Sequence, residues 1–179
     1  MPESRCLVGA LALVWVMSAC ASPARVVNMT PADVSVTNKH PHTVSTEVIG
    51  GEETSALGMS KVSDAGFQEA LATAILESGV FSNVVSIGGS DYHLEVVITN
   101  LGQPFAGFDM TVTLTAHWEL TKRGASKALW QDFVSKKYTA RAGDAFVGVE
   151  RLRMANEGAV RENIKEGLRL LSELSLSSQ

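Results

Sequence analysis

The chain has 179 residues, and its 15 basic and 19 acidic side chains give a formal net charge of −4 at pH 7. A weakly acidic chain lacks the basic surface that binds nucleic acid, and it does not favour broad electrostatic binding to anionic membranes. The length suits one domain with its own hydrophobic core.

The N-terminus carries an unbroken apolar run over residues 7–17, preceded by one basic side chain, Arg5. A membrane-spanning helix needs about 20 apolar residues, so this run is too short to cross a bilayer. Its length is typical of the apolar part of a secretory signal peptide, which has about 7–15 residues. We therefore predict that residues 1–19 form a cleaved signal peptide. No second long apolar run follows in the sequence.

The apolar run ends in Met17-Ser18-Ala19-Cys20, which resembles the lipobox of bacterial lipoproteins: an apolar residue and two small residues before a cysteine. The resemblance implies a diacylglyceryl group on Cys20, cleavage before it, and acylation of the new N-terminus, for example with palmitate. Ala at position 21, where Asp favours retention in the inner membrane, implies the outer membrane of a Gram-negative bacterium, with the domain facing the periplasm. Two or three acyl chains hold a protein on a membrane far more firmly than one chain does.

Two alternatives to the lipid anchor stay open at this point. The first is an ordinary signal peptide followed by an incidental cysteine, and the second is a short anchor that is never cleaved. The chain contains two cysteines, and cleavage would remove Cys6. Cys20 would then have no partner for a disulfide within the mature chain, and the fold would depend on its core alone.

Residues 20–42 contain three prolines and little periodicity, which predicts a lipidated N-terminus followed by a flexible tether. His40 and His42 flank a proline there, and we interpret them as part of an exposed turn, since two histidines make an incomplete metal site. A single α+β domain is predicted over residues 43–179.

Alternating and helical patterns define the elements of that domain. A helix begins at Ser60 or Ser63 and ends at Ser78, where Gly79 is a favourable C-terminal residue. The predicted strands cover residues 44–49, 83–87, 92–101, 110–121 and 127–140, and a long helix covers residues 146–174. Its charged face is predicted to be solvated and to contain two supporting ion pairs, Glu157–Arg161 and Arg169–Glu173.

This element order predicts an α+β two-layer sandwich: a mainly antiparallel sheet of four to five strands covered by two helices, including the long C-terminal helix. The order is similar to that of transporter-auxiliary lipoproteins and of the N-terminal part of TolB. That resemblance, which covers residues 43–174 and includes no diagnostic motif, implies a non-enzymatic accessory protein in a complex of the cell envelope.

Sequence motifs for catalysis are missing: the chain has no G-x-S-x-G, S-x-x-K, H-E-x-x-H, G-x-G-x-x-G or Ca²⁺-binding loop, and residues 102–107 lack the Lys of a phosphate-binding loop. We therefore predict no cofactor and no enzymatic activity. The strongest exception is a pairing of His93 with His117, flanked by Glu95 and Glu119, which would resemble a zinc site if the hairpin turned near residues 104–106. A solvated sheet face with ordinary polar pairs is the alternative.

Phe105 and Phe108 lie in the predicted loop between two strands and are the candidate apolar contact to a partner. Their alternative is that both rings fold into the end of the hairpin. Three functions follow as hypotheses: an accessory or adaptor lipoprotein of envelope assembly or transport, a carrier of lipid or another apolar ligand, and an envelope enzyme using His93 and His117. The carrier would need a cavity, lined by Val96, Leu114, Trp118 and Leu168.

Overall fold

The computed structural model describes residues 21–55 and 59–176. It confirms the predicted α+β sandwich, with helices on one face of a five-stranded sheet. The elements are α1 (Val26–Met29), β1 (His40–Ile49), α2 (Asp64–Ser78), β2 (Phe81–Val84), β3 (Tyr92–Gly102), β4 (Met110–Lys122), β5 (Ala128–Ala140) and α3 (Gly148–Ser172). Among the described residues, no helix combines the length and the apolar character needed to cross a membrane.

The strands are arranged in the order β2-β1-β3-β4-β5. Strands β3, β4 and β5 form the antiparallel meander that the sequence predicts. Strand β1 does not belong to it, because β1 lies between β2 and β3 and runs parallel to both. A parallel pair needs a crossover connection, and α2 provides that connection between β1 and β2. The predicted mainly antiparallel sheet is therefore confirmed, but the meander contains only β3, β4 and β5, since β2 pairs with β1 and runs parallel to it.

Strand β4 shows how the sequence places the core. Its even-numbered residues from Met110 to Leu120 are at most 7% exposed, while the intervening threonines, histidine and glutamate lie on the other face. This period of two is the one expected when only one face of a sheet is covered. Helices α2 and α3 cover the buried face and leave the opposite face, which we call the outer sheet face, open to solvent.

The ends of α2 lie where the sequence predicts them. The Ser63 hydroxyl accepts a hydrogen bond from the Gly66 backbone N–H at 3.2 Å, which satisfies one free donor of the first turn. Gly79 follows the last turn with a φ of 67°, a left-handed conformation that glycine adopts without a steric penalty. Its N–H donates to the Ile75 carbonyl at 3.0 Å, so the helix end is closed by backbone bonding.

Helix α3 approaches the sheet closely at two glycines. A Cβ atom at Gly167 would lie 2.5 Å from the Trp118 indole, and one at Gly158 would overlap the Tyr138 ring. A larger side chain at either position would push the helix or the aromatic ring away. The two glycines therefore allow large aromatic side chains of β4 and β5 to fill the space under α3.

The connections between elements separate into two ends of the domain. Residues 50–55, 59–63, 103–109 and 141–147 lie at the end where β1, β3 and β5 finish and where β4 and α3 begin. We call this the loop end. The connections at residues 85–91 and 123–127 lie at the opposite end, which we call the turn end.

Residues 22–38 lie against the domain, which differs from the predicted flexible tether over residues 20–42. Met29 is completely buried. The backbone N–H groups of Thr37 and Asn38 donate to the hydroxyl and the carbonyl of Ser172, each at 3.0 Å. Residues 22–38, which we call the N-terminal segment or the segment before β1, are therefore part of the folded domain. Cys20 and the predicted signal peptide, residues 1–19, lie outside the described residues.

The two histidines of that segment are also placed differently from the prediction. Both lie in β1 rather than in an exposed turn. His40 is 5% exposed, and its Nε2 atom is 3.0 Å from the Leu171 carbonyl oxygen, so it joins the start of β1 to the end of α3. The imidazole of His42 packs edge-on against Tyr92, with the ring centroids 5.3 Å apart.

The N-terminal segment binds to the charged face of α3 through Glu157. This carboxylate accepts hydrogen bonds from the Arg25 backbone N–H at 2.9 Å and from the Asn28 amide at 2.8 Å, and it pairs with Arg153 at 2.6 Å. Glu157 is 2% exposed and Arg153 is 3% exposed. The predicted solvated face is therefore wrong at Glu157, because the segment before β1 covers it.

Other charges on α3 surround this buried pair. A side-chain hydrogen bond from Arg153 holds the pKa of Glu150 below its usual value, and the same bond raises the pKa of Arg153. Further along the helix, Arg169 pairs with Glu173 at 2.5 Å, which confirms the second predicted ion pair. The first predicted pair is replaced, since Glu157 pairs with Arg153 instead of Arg161.

Candidate functional site

The first candidate site is the loop end, where the N-terminal segment meets the loops. The Ser60 hydroxyl donates to the Ser22 carbonyl at 2.9 Å. The Ser60 carbonyl in turn accepts from the side-chain amides of Gln103 at 2.7 Å and Asn156 at 2.8 Å. Ser60 and Asn156 are fully buried. This network fixes Ser22, two residues after Cys20, beside the start of the loop that joins β3 to β4.

Three phenylalanines project from the loop end into solvent. Phe105 and Phe108 are 97% and 86% exposed, and Phe146, in the loop before α3, is fully exposed. Phenylalanine is usually buried, since its ring removes about 150–250 Å² of apolar surface from water. The alternative in which Phe105 and Phe108 fold into the hairpin is therefore wrong.

Polar contacts join the two loops that carry these rings. The Asp109 carboxylate accepts a hydrogen bond from the Ala142 N–H at 2.9 Å. The Arg151 guanidinium donates to the carbonyls of Ala145 at 2.7 Å and Phe146 at 3.2 Å. Phe105 also lines a shallow depression of about 310 Å³ whose other wall is the first turn of α3. The two loops thus form one connected surface.

The second candidate site is the outer sheet face, where strand register places side chains in rows. Ile49, Val97, His117 and Phe133 face each other in succession across β1, β3, β4 and β5. The His117 and Phe133 rings have their centroids 4.8 Å apart. Phe133 is 65% exposed and Ile49 is 41% exposed, so this row is an apolar strip on an otherwise polar face. We call it the apolar row.

An acidic row lies next to the apolar row. Glu47, Glu95 and Glu119 are directly opposite one another on β1, β3 and β4, and Gln131 extends the row onto β5. Like charges that face each other directly across strands destabilise a sheet. The outer sheet face therefore combines an exposed apolar row with an adjacent acidic row. A sheet face that only contacts water requires neither row.

The predicted pairing of His93 with His117 is wrong. His93 lies opposite Thr121, whereas His117 lies opposite Val97. The enzyme hypothesis relied on these two imidazoles meeting, and the register separates them into different rows.

His93 instead lies near Glu47 and Glu95, with one ligand atom from each residue within 4.8 Å of the others. The His93 Nδ1 atom is 3.0 Å from the Ser45 hydroxyl, and its Nε2 atom is 3.5 Å from a Glu47 carboxylate oxygen. One imidazole and two carboxylates could hold a divalent metal ion weakly, but they are one ligand short of a structural zinc site.

The cavity that a carrier would need is not formed by the four residues predicted to line it. Val96, Leu114, Trp118 and Leu168 are all fully buried. The Trp118 indole fills the space against Gly167, and its Nε1 atom donates to the Asn163 amide oxygen at 3.0 Å. An apolar ligand at this place would have to displace the largest side chain of the core.

Three functional features were not predicted from the sequence. Phe146 was assigned to the start of the last helix, although its position next to the Gly143-containing turn is a signal for a loop. Glu47 was missed because only a parallel β1–β3 pairing brings it beside Glu95. Glu157 lies in a run of charges at helical spacing, and nothing in that run distinguishes it from an exposed residue.

Comparisons with known proteins identify structures with a similar fold, but they do not identify a function. No protein-family model matches the chain. No curated protein matches it.

Solved structures do match. A protein of Xanthomonas campestris from the DUF330 family aligns with a TM-score of 0.59 at 12% identity, over 79% of this chain and 89% of that one. A protein of Caulobacter crescentus described provisionally as a lipoprotein aligns with a TM-score of 0.50 at 12% identity, over 72% and 87%. A hypothetical protein of Chlamydia trachomatis aligns with a TM-score of 0.51 at 8% identity, over 73% and 98%. At these identities the likeness shows a shared fold.

Proposed function

We propose that this chain is a bacterial lipoprotein anchored through lipid on Cys20 to the outer membrane, facing the periplasm, and that its domain is a non-catalytic adaptor for an envelope complex. The observation that carries the proposal is the fixed position of Ser22. A lipid on Cys20 would be joined to the domain by two residues, which span about 7 Å at most. The domain would therefore have a defined orientation on the membrane instead of moving on a long tether.

The lipobox-like sequence before Cys20 supports the anchor, and so does the fold that the chain shares with a protein described as a lipoprotein. The adaptor role rests on the outer sheet face. A domain held at its loop end would keep the length of this face accessible to a partner protein. Burial of the apolar row against a partner would contribute binding free energy. The acidic row would select a partner with a complementary, basic surface, and both features are common in protein interfaces.

The edge of the sheet at β5 is the less suitable docking surface. Strand β5 is long and lies at the edge, where unpaired backbone groups invite another strand. However, the Asp132 carboxylate accepts a hydrogen bond from the Phe133 N–H at 2.7 Å, in the middle of the strand. Lys136 and Lys137 follow on the same strand, and charged side chains of this kind protect edges from strand addition.

Replacement of Cys20 by serine is expected to abolish membrane anchoring. The serine hydroxyl is not converted to the thioether, so the acyl chains that hold the protein are lost. Membrane fractionation and metabolic labelling with palmitate in cells measure the effect, with Ser18→Ala as a control that keeps a small residue before the cysteine. If the serine variant stayed in the membrane fraction with unchanged label, the anchor would be disproved.

Docking on the outer sheet face is tested by a photoreactive amino acid at position 133 of the full-length chain in cells. We expect one discrete adduct with an envelope protein, and we expect it to disappear when Ile49 and Val97 in the same row are replaced by serine. Leu76 is the matched control, because it is 52% exposed but lies on α2, in the helical layer of the domain. Equal adducts at positions 76 and 133 would contradict a specific surface.

A further inference from the structure

We infer that the loop end is a membrane-contact surface, and that Phe105, Phe108 and Phe146 insert into the lipid interface beside the anchor. This inference rests on the proposed lipid at Cys20. It goes beyond the anchor because it assigns a second, non-covalent contact with the bilayer and fixes which end of the domain faces the lipid.

The position of these rings is the first support. They lie in residues 103–109 and 141–147, the two loops that the Asp109–Ala142 hydrogen bond connects. The network of Ser60 with Gln103 places Ser22 next to the first of these loops. Since two residues reach about 7 Å at most, a lipid attached to Cys20 would be tethered to the same end of the domain as the three rings.

The exposure of these rings is the second support. The chain has six phenylalanines: Phe67 and Phe81 are at most 1% exposed, and Phe133 in the apolar row is 65% exposed. The three at the loop end are at least 86% exposed, with Val147 at 49% beside them. A grouped set of exposed apolar side chains indicates contact with a partner surface, because water solvates such a set poorly.

A bilayer is favoured over a protein as that surface. The acyl chains of Cys20 would bring the lipid to this end of the domain in any case, and aromatic side chains on short loops suit shallow insertion of about 5–10 Å. The two loops that carry the rings contain the carboxylates Asp109 and Asp144 and one basic side chain, Arg141. They have no excess of positive charge to attract anionic lipid, so apolar contact would dominate, and uncharged or zwitterionic lipid would be sufficient.

The opposite end of the domain provides the matched control positions. Ile87 lies in the connection between β2 and β3 and is 70% exposed, and Leu129 lies at the start of β5 and is 54% exposed. Both are single exposed apolar residues at the turn end. If the loop end faces the bilayer, these two side chains point away from it.

The test is photocrosslinking from the full-length, membrane-bound chain in native envelopes. A benzophenone amino acid is placed in turn at positions 105, 108, 146, 87 and 129. Mass spectrometry then measures phospholipid adducts on each variant, and it measures acylation of Cys20 in the same samples. We expect roughly tenfold more lipid adduct at each loop-end position than at 87 or 129. We also expect the yield to be unchanged at about 0.5 M salt, since apolar insertion is not screened.

The outcomes separate the two proposals. Acylated Cys20 with no excess of lipid adducts at the loop end would overturn the membrane-contact surface and leave the anchor intact. A discrete protein adduct in place of lipid would also overturn it and would assign the loop end to a protein partner. Absence of acyl chains from Cys20 would overturn the proposed anchor, and the inference that depends on it would fall with it.

Discussion

The Glu157→Ala variant is expected to be less stable by about 3 kcal/mol and to release the segment before β1 from α3. Glu157 is the common acceptor for the Arg25 backbone, the Asn28 amide and the Arg153 guanidinium. Breaking a buried ion pair by removing one partner costs about 3–5 kcal/mol. The lower end of that range applies, because Glu150 still pairs with Arg153 after the change.

Urea unfolding measures the loss of stability, and amide hydrogen exchange of residues 26–30 measures the release. The Glu157→Gln variant keeps one acceptor oxygen, so its loss should be about half as large. Glu162→Ala is the matched control on the same helix, since the Glu162 carboxylate is half-exposed and its contact with Arg161 is 3.9 Å long. The control is expected to change stability by less than about 0.5 kcal/mol. Unchanged exchange of residues 26–30 in Glu157→Ala would show that Glu157 does not hold the segment.

If Cys20 is lipidated as proposed, the same variant would also loosen the connection between the anchor and the domain. Residues 21–36, once released, would form a tether with a reach on the order of 50 Å, while Thr37 and Asn38 stay bonded to Ser172. The loop end would then no longer be fixed beside Cys20. If Cys20 carries the proposed lipid, a buried carboxylate on α3 would thus determine how closely the domain is held to the membrane.

The strands were predictable because each of β3, β4 and β5 has one covered and one open face. Because of that asymmetry, apolar and polar residues alternate along each strand, most clearly in β4. The segment before β1 was not predictable for the opposite reason. Its polar contacts join backbone groups and polar side chains to a polar helix face, so both partners resemble solvated surfaces in the sequence. Its apolar contacts, such as that of the buried Met29, come from scattered residues without a regular period.

The register of β3 against β4 was the second feature that was predicted wrongly. The error lies in the residue on which the β3–β4 hairpin is centred. A pairing of His93 with His117 requires the turn to be centred on Phe105. The observed pairs, such as Val97 with His117, are centred on Gly107. A shift of two residues in the centre moves each partner by four positions, which keeps every side chain on its face but changes its row. The sequence of a seven-residue loop does not determine that centre.

The Trp118→Ala variant is expected to be less stable by about 3–5 kcal/mol, and this change tests the packing that closes the core. The indole is fully buried, so its removal leaves an apolar cavity between the sheet and α3. It also leaves the Asn163 amide oxygen without the Trp118 donor, while the Asn163 nitrogen still donates to the Val134 carbonyl. An unsatisfied buried acceptor adds to the cost of the cavity.

A second variant at Gly167 tests whether the loss of stability comes from the contact between Trp118 and α3. The indole packs against Gly167 at a position that a Cβ atom would occupy. In the wild-type background, Gly167→Ala is expected to cost about 1–3 kcal/mol through the overlap with Trp118, despite the better helix propensity of alanine. In the Trp118→Ala background, the same change is expected to stabilise, because the overlap is gone and the helix propensity remains. Gly148→Ala is the control on the same helix, since the nearest atom to its Cβ is at an ordinary 3.6 Å. Urea unfolding of the wild type, the two single variants and the double variant gives the coupling energy, and Gly148→Ala is measured beside them. If Gly167→Ala changed the free energy of unfolding equally in both backgrounds, the interface between α3 and the sheet would be easily deformed. A carrier of apolar ligands needs such an interface, and a rigid adaptor does not.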